Sequence, residues 1–209
     1  MSGSSDGAFI VIDGIDGCGK TLHSRSLCID LRKLNYDVRY TAEPSQGFIG
    51  RFVRHKVLFE QKIPPETEVL LFAADRFSHL QHEVLPLLKA GKTVVSDRYL
   101  HASLAYQGAQ GVSLDWIREV NYFAIKPDVA IYLDVPAEVG LSRIRRERTV
   151  LEKLELEKRV RQIYLQLVEE GELSMVDATK PISNVKREVL SLALQAIRKK
   201  LEKDRSQES

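Results

Sequence analysis

The stretch Gly14-Ile15-Asp16-Gly17-Cys18-Gly19-Lys20-Thr21 decides the fold of this chain of 209 residues. It fits the pattern G-x-x-x-x-G-K-[ST] at every fixed position. The apolar run Ala8–Ile12 precedes it and is typical of a buried parallel strand, and a helical pattern begins at Lys20. Glycines let the backbone fold around a phosphate with its N–H groups pointing inwards, and the helix dipole adds to the attraction. The sequence therefore predicts a phosphate-binding loop between a strand and a helix.

The loop supplies the first candidate site residues. Lys20 is suited to neutralise the β and γ oxygens of ATP, and the Thr21 hydroxyl is suited to bind Mg²⁺. A glycine turn that joins a strand to a helix without any ligand is the alternative. The candidate ATP-binding residues are Gly14, Ile15, Asp16, Gly17, Cys18, Gly19, Lys20 and Thr21.

Short β-rich runs alternate with helical patterns along the rest of the chain. The further candidate strands are Val38–Thr41, Thr93–Ser96, Val129–Leu133 and Ser174–Val176. This alternation predicts an α/β fold whose parallel sheet is covered by helices on both faces. Together with the loop it predicts a P-loop NTPase fold with a central five-stranded parallel sheet. Ligands of such a fold bind at the carboxyl ends of the strands.

Apolar residues at helical spacing predict the helices Thr21–Leu34, Pro65–Ala90, Leu114–Ile125, Ala137–Arg146 and Asn184–Leu201. Pro86 predicts a kink or a break in the second of them, because proline lacks the backbone N–H. Ser183 is placed to cap the last helix. We predict one domain over residues 8–202, with polar tails at 1–7 and 203–209 that fray.

Composition limits the class of protein. Lys and Arg total 31 against 29 Asp and Glu, so the net charge of +2 argues against a protein that binds a nucleic-acid polymer. No apolar run approaches the roughly 18 residues of a membrane span, and residues 1–7 do not resemble a signal peptide. Cys18 and Cys28 have neither a metal-site nor a disulfide spacing. We expect a cytoplasmic protein with a small-molecule ligand and no membrane contact.

An acidic and a basic residue follow the third candidate strand. Asp97 is suited to hold Mg²⁺ directly or through water, and Arg98 is suited to grip a phosphate in fork geometry. A structural ion pair between the two is the alternative. Asp134, at the end of the next strand, is the alternative carboxylate for Mg²⁺. The absence of an N-K-x-D segment disfavours a GTPase.

At this point the chain resembles the thymidylate kinases, from Phe9 to about Ile197. The resemblance rests on I-D-G-I-D-G-C-G-K-T at the loop, Glu43-Pro44, L-F-A-A-D-R at residues 71–76, D-R-Y-x-x-x-S-x-A-Y-Q-G from Asp97, Tyr132–Pro136 and Val176–Ala178. It implies an enzyme of dTTP biosynthesis that phosphorylates thymidine 5′-monophosphate to the diphosphate. It also implies ATP as the donor, Mg²⁺ as the cofactor, in-line transfer and a homodimer. The resemblance also favours Asp97 over Asp134 for Mg²⁺.

For the acceptor, the resemblance implies the binding residues Glu43, Phe72, Arg76, Arg98, Ser103, Tyr106 and Gln107. Phe72 would stack on thymine and Arg76 would hydrogen-bond to an exocyclic oxygen, which agrees with their i, i+4 spacing on one helix. Core packing is the alternative role for Phe72.

The remaining acceptor roles also follow from the resemblance. Arg98 would hold the monophosphate, Asp16 would lie near the 3′-hydroxyl and Tyr106 would crowd a ribose 2′-hydroxyl. Ser103 and Gln107 would lie near the base, and Glu43 would order the acceptor site and its water or metal.

A cluster of arginines is the last candidate feature. Some thymidylate kinases carry an arginine inside the phosphate-binding loop, where this chain has Gly17 and Cys18. The resemblance then implies a mobile lid at about residues 143–155 that supplies the charge for phosphoryl transfer. Its candidates, catalytic together with Lys20, Arg98 and Asp16, are Arg143, Arg145, Arg146 and Arg148. A solvated helix face is the alternative for any single one.

Two other functions stay open from the sequence. The first is a small-molecule P-loop kinase with another acceptor, against which the Phe72–Arg76 pair and the A-Y-Q-G segment argue. The second is a module that binds ATP only for its structure. The joint presence of four residues argues against that: Lys20, Thr21, Asp97 and Arg98.

Overall fold

The computed structural model describes residues 7–57, 63–144 and 154–207. Within them the strands are β1 Phe9–Asp13, β2 Val38–Ala42, β3 Thr93–Asp97, β4 Val129–Asp134 and β5 Ser174–Asp177. They form one sheet in the order β2-β3-β1-β4-β5, and every neighbouring pair is parallel. The predicted α/β fold with a central five-stranded parallel sheet is confirmed.

Two of the three inner strands, β1 and β3, explain why the sequence shows apolar runs instead of alternation. Every residue of β1 and of β3 is buried, since helices cover both faces of the sheet. The register pairs Ile12 with Asp97, so β1 and β3 end side by side. This brings the phosphate-binding loop next to the residues that follow β3.

The described helices are α1 Lys20–Lys33, α2 Phe48–Phe52, α3 Pro65–His79, α4 Leu85–Lys89, α5 Leu100–Ala109, α6 Leu114–Val120, α7 Ala137–Ser142, α8 Leu154–Glu169 and α9 Ile182–Gln207. A π-helical turn, Val53–Val57, continues α2. The sequence patterns did not predict α2, α5 or α8. No helix in the described ranges combines the length and the apolar character that a membrane crossing needs.

The irregularity predicted at Pro86 lies a few residues earlier in the chain, and it is a widened helical turn instead of a break. A π-helical turn, Leu80–Val84, joins α3 to α4, and Pro86 sits in the first turn of α4. Proline has no N–H to donate, and its ring clashes with the carbonyl four residues earlier. The turn before Pro86 is widened, and the helix continues instead of ending there.

Two helices also end earlier than predicted. Helix α6 ends at Val120, before the predicted Ile125. Helix α7 ends at Ser142, before the predicted Arg146.

The start of α9 corrects the predicted cap. This helix begins at Ile182, where the Pro181 carbonyl accepts from the amides of Asn184 and Val185. Ser183 therefore lies inside the first turn, and its predicted capping role is wrong. Helix α9 also extends to Gln207, into the segment predicted as a polar tail.

A close approach of two backbones fixes the phosphate-binding loop against α7. Gly17 has φ +78°, and a Cβ atom there would lie 1.9 Å from the carbonyl oxygen of Gly140. Only glycine fits a position that combines a left-handed backbone with such a contact. Gly17, at a variable position of the loop pattern, therefore lets the loop pack against α7.

Candidate active site

The phosphate-binding loop connects β1 to α1 with its lysine held inside. Lys20 is buried, and its Nζ donates to the carbonyls of Gly14 at 2.9 Å and Ile15 at 2.8 Å. The same ammonium lies 3.6 Å from Oδ1 of Asp16. The positive charge is thus held at the centre of the loop, where a bound phosphate would take over these contacts.

The hydroxyl that follows the lysine faces a carboxylate from β3. Thr21 Oγ1 donates to Asp97 Oδ2 at 2.5 Å, and the Tyr40 hydroxyl lies 3.4 Å from the same oxygen. Hydroxyl and carboxylate oxygens are ligands that Mg²⁺ prefers, so this pair fits that ion. The alternative carboxylate, Asp134, accepts from Nε and NH2 of Arg161 at 2.8 and 2.9 Å. The structure therefore favours Asp97 as the carboxylate beside the loop.

Arg98 has a left-handed backbone, with φ 75°, at the point where β3 ends. Such a conformation is costly for a residue other than glycine, and it is found most often at functional sites. The guanidinium pairs with Asp16 of the loop, not with Asp97, and lies 4.9 Å from the centre of the Tyr106 ring. The alternative of a simple Asp97–Arg98 ion pair is therefore wrong.

One open cavity of about 900 Å³ extends from the loop to α3 and α5. Its lining includes Lys20, Thr21 and Asp97 at one end. It also includes all seven residues predicted to bind the acceptor: Glu43, Phe72, Arg76, Arg98, Ser103, Tyr106 and Gln107. Cavities of this size and mixed polarity are typical of small-molecule sites. The structure thus brings the predicted donor and acceptor residues to one space.

Arg76 is fully buried on the wall of this cavity. Its Nε donates to Glu43 Oε2 at 2.9 Å, and its NH1 donates to Asn121 Oδ1 at 2.5 Å. NH2 donates to the Tyr99 carbonyl at 3.2 Å and to Ser103 Oγ at 3.0 Å. Four of the five N–H groups of the guanidinium are therefore committed, which fixes its plane.

Glu43 connects Arg76 to a buried histidine. Oε1 of Glu43 lies 3.3 Å from Nδ1 of His79, whose Nε2 lies 2.7 Å from Thr41 Oγ1. Burial lowers the pKa of His79, but the hydrogen bond and charge of Glu43 outweigh it and leave the pKa raised. Glu43 thus contacts Arg76 through one oxygen and His79 through the other.

Phe72 lies one turn before Arg76 on α3 and is half-buried. It lines the cavity, whereas Val69 on the same helix is fully buried in the core. This placement favours a ring that faces a ligand over the alternative of core packing.

Sequence reasoning missed Glu157, a buried residue of α8. Oε2 of Glu157 accepts from the Asp16 amide at 3.4 Å, and Oε1 accepts from the Tyr106 hydroxyl at 3.3 Å. Burial and the nearby Asp16 charge raise the pKa of Glu157 to about 7. The available signal was a charged residue next to the apolar stripe Leu156, Val160 and Tyr164.

Sequence reasoning also missed Arg54, which lines the cavity and bonds to the Pro44 carbonyl. No motif pointed to it. Of the predicted lid arginines, Arg143 lines the same cavity near the loop. Arg145, Arg146 and Arg148 lie outside the described residues, as does most of the predicted lid.

A parallel sheet that ends in a phosphate-binding loop, with an acceptor cavity beside the loop, is the arrangement of P-loop kinases. Comparison with known proteins narrows this class. The thymidylate kinase family model matches residues 12–189. The chain therefore belongs to the thymidylate kinase family, and the predicted resemblance is confirmed.

Three relatives, each named probable thymidylate kinase, illustrate the likeness. The protein from Thermococcus onnurineus is 41% identical over 196 residues, which covers 88% of this chain and 96% of the relative. The protein from Thermococcus gammatolerans is 40% identical over 91% of this chain and 98% of its own. The protein from Pyrococcus horikoshii is 41% identical over 89% of this chain and 95% of its own length.

Proposed function

We propose that this protein transfers the γ-phosphoryl group of ATP, with Mg²⁺, to the 5′-phosphate of thymidine monophosphate. Family membership confirms the predicted thymidylate kinase activity, whereas the donor and the ion are part of the proposal. The cavity carries it, because one space joins Lys20 and Thr21 to Phe72 and Gln107. An in-line transfer needs donor and acceptor in such a shared space.

The loop is the proposed donor site. Its backbone from Gly14 to Gly19 would surround the phosphates, and Lys20 would exchange its loop carbonyls for phosphate oxygens. Thr21 and Asp97 would hold Mg²⁺, which neutralises phosphate charge when bound. The contact between their oxygens at 2.5 Å shows that both side chains face the same point beside the loop.

Arg98 and Asp16 are the proposed link between the donor and the acceptor. The attacking phosphate oxygen is already an anion, so the transfer needs little proton removal and no covalent enzyme intermediate. Arg98 would bind the acceptor phosphate in place of part of its contact with Asp16. Arg143, and the predicted lid arginines with it, would balance the charge that develops on the transferred group.

The far end of the cavity is the proposed base site. Phe72 would stack on thymine, Arg76 would donate to its O4 atom, and Ser103 would support Arg76. Tyr106 would exclude a ribose 2′-hydroxyl, since its ring is held by Arg98 and its hydroxyl by Glu157. These roles follow the resemblance and agree with the position of each side chain on the cavity wall.

A homodimer is part of the proposal, and so is a cytoplasmic location. An apolar surface supports the dimer: Leu70 and Phe77 lie seven residues apart on α3 and are 53% and 49% exposed. Phe77 packs edge-on against Phe123, beside Tyr122, which is 86% exposed. Exposed apolar groups of this kind are typical of surfaces between subunits. Tyr122→Asp should shift the mass measured by light scattering from dimer to monomer.

The proposed reaction is tested by a coupled assay of ADP release over a panel of nucleoside monophosphates. We expect the highest kcat/KM with thymidine monophosphate, and loss of turnover when a chelator removes Mg²⁺. A preference for another nucleotide would favour a different P-loop kinase. Tight ATP binding without turnover on any acceptor would favour the nucleotide-binding module.

A further inference from the structure

Glu68 is a buried carboxylate on α3, two turns before Arg76. Its Oε2 accepts hydrogen bonds from the Nε2 atoms of Gln107 and Gln110, both at 3.0 Å. Burial raises the pKa of Glu68, while the two amide donors oppose that rise. A carboxylate can only accept hydrogen bonds, so it determines which end of each amide faces it. Glu68 therefore orients the side chain of Gln107.

The orientation matters because Gln107 lines the acceptor end of the cavity. With Nε2 turned to Glu68, the carbonyl Oε1 is the end of the amide left to accept a hydrogen bond. Among the described residues no donor is bonded to this Oε1. Gln107 is a buried residue on the cavity wall, and an acceptor oxygen left without a protein donor there favours a ligand that brings one.

Arg76 supplies the complementary group close by. Four of its N–H groups are committed to protein acceptors, which leaves one N–H on NH1. Ser103 accepts from Arg76 at 3.0 Å and lies one helical turn before Gln107 on α5. The cavity wall therefore includes a guanidinium with one uncommitted N–H and an oriented acceptor, and α5 connects the two through Ser103 and Gln107.

Pyrimidine bases differ in the pattern that they offer to such a pair. Thymine and uracil have an acceptor at O4 next to a donor at N3–H. Cytosine has a donor at its 4-amino group next to an acceptor at N3, so both positions are reversed. We infer that Glu68 is a specificity-determining positioning residue, which holds the Gln107 carbonyl towards the base and so selects bases that carry N3–H. The inference deepens the proposed function and rests on its placement of the base.

Glu68→Gln tests the inference because it keeps the shape of the side chain, whereas its amide can both donate and accept hydrogen bonds. A glutamine at this position can accept from Gln107 Nε2 or donate to Gln107 Oε1. The Gln107 amide can then turn to suit either base. The matched control is Glu66→Gln, an exposed glutamate on the same helix. The ligands are 2′-deoxyuridine and 2′-deoxycytidine monophosphates, which differ only at this edge, and the measurement is Kd by titration calorimetry.

We expect Glu68→Gln to bind the cytidine nucleotide about tenfold more tightly than the unmodified protein does. The Kd of the uridine nucleotide should rise by less than about threefold, since the orientation of the Gln107 amide that this nucleotide prefers stays available. If the role of Glu68 were purely structural, Glu68→Gln would bind both nucleotides more weakly and neither more tightly. Glu66→Gln should leave both Kd values unchanged.

An unchanged ratio of the two Kd values in folded Glu68→Gln overturns the inference, and so does an equal loss for both nucleotides. If Glu68→Gln does not fold, Gln107→Leu serves as the test instead. This variant should bind the uridine nucleotide about tenfold more weakly and should change the Kd of the cytidine nucleotide little. A full preference for uridine in that variant also overturns the inference. Because binding is measured without transfer, a protein that prefers uridine but has no kinase activity contradicts only the proposed function.

Discussion

Arg76 and Glu43 form a buried ion pair in which Nε of the guanidinium donates to Oε2 of the carboxylate at 2.9 Å. Residues that lie 33 positions apart in the sequence thus meet beside the proposed base site. The pair fixes Arg76 before any acceptor binds, so little side-chain entropy remains to be lost on binding. It also makes Arg76 dependent on Glu43, because a buried charge without its partner is costly.

Glu43→Ala should therefore destabilise the fold and weaken the acceptor together. Loss of one partner of a buried ion pair costs about 3–5 kcal/mol, which should appear in the free energy of unfolding from urea titration. The Kd of thymidine monophosphate should rise, because Arg76 loses the contact that sets its plane. Glu119→Ala, at an exposed glutamate, is the control. Unchanged stability of Glu43→Ala would show that the pair contributes nothing to the fold.

Glu157→Gln should change the pH dependence of stability. The pKa of Glu157 in the folded protein is raised to about 7, so the folded state holds a proton that the unfolded state releases near pH 4.5. Stability from this group is complete below pH 4.5 and is lost as the pH rises through about 7. Between pH 4.5 and 8 the free energy of unfolding of the unmodified protein should fall by up to about 3 kcal/mol relative to that of Glu157→Gln. Urea unfolding at several pH values measures this difference.

The control for that comparison is Glu155→Gln, an exposed glutamate on the same helix. Its free energy of unfolding should change with pH in the same way as that of the unmodified protein. Parallel stability curves for Glu157→Gln and the unmodified protein would show that Glu157 titrates normally.

Lys20→Ala should abolish phosphoryl transfer and leave the fold intact. The ammonium is the buried positive charge at the centre of the loop, and its position suits the β and γ oxygens of ATP. Lys33→Ala, near the exposed end of α1, controls for the loss of a lysine from the same helix. The ADP-release assay and circular dichroism together check the outcome. Full activity in folded Lys20→Ala would place the active site elsewhere.

Alanine substitution of the predicted lid arginines should lower kcat by at least about 100-fold in one case. The variants are Arg143→Ala, Arg145→Ala, Arg146→Ala and Arg148→Ala, with Arg187→Ala at an exposed site as the control. Arg143 is the first candidate, because it lines the cavity beside the loop. Normal turnover in all four variants would mean that the charge comes from another residue, of which Arg54 is the next on the cavity wall.

The parts of the site that the sequence predicts well are local in the chain. The loop needs only eight consecutive residues, and Phe72 and Arg76 need only one helical turn. The missed residues depend on distant partners. Glu157 meets the Asp16 amide from 141 residues away, and Glu68 meets Gln107 from 39. No periodicity within one helix marks such a residue, because its role is set by how helices pack on the sheet.

The predicted end of α6 was wrong, and the residue there also has a distant partner. The apolar pattern continues from Leu114 to Ile125, yet α6 ends at Val120. Asn121 bonds to the Ile117 carbonyl and accepts from Arg76, 45 residues earlier in the chain. The residue that caps the end of α6 is thus held by a tertiary contact. By contrast, the buried strands were predicted from their own composition, since full burial on both faces requires continuous apolar runs.

Arg76→Lys should narrow the preference for thymidine monophosphate over 2′-deoxycytidine monophosphate, measured as the ratio of the two kcat/KM values. Lysine is preferable to alanine here, because its charge keeps Glu43 paired and spares the fold. A lysine ammonium lacks the fixed fork of arginine, so the donor aimed at O4 is lost. An unpaired donor that faces cytosine costs about 1–3 kcal/mol, and removing that donor should therefore shrink the ratio by roughly 5- to 150-fold. Phe72→Ala is the matched comparison: a ring stacks on any base, so this variant should weaken both acceptors by a similar factor. A full thymine preference in Arg76→Lys would assign base reading to Gln107 alone.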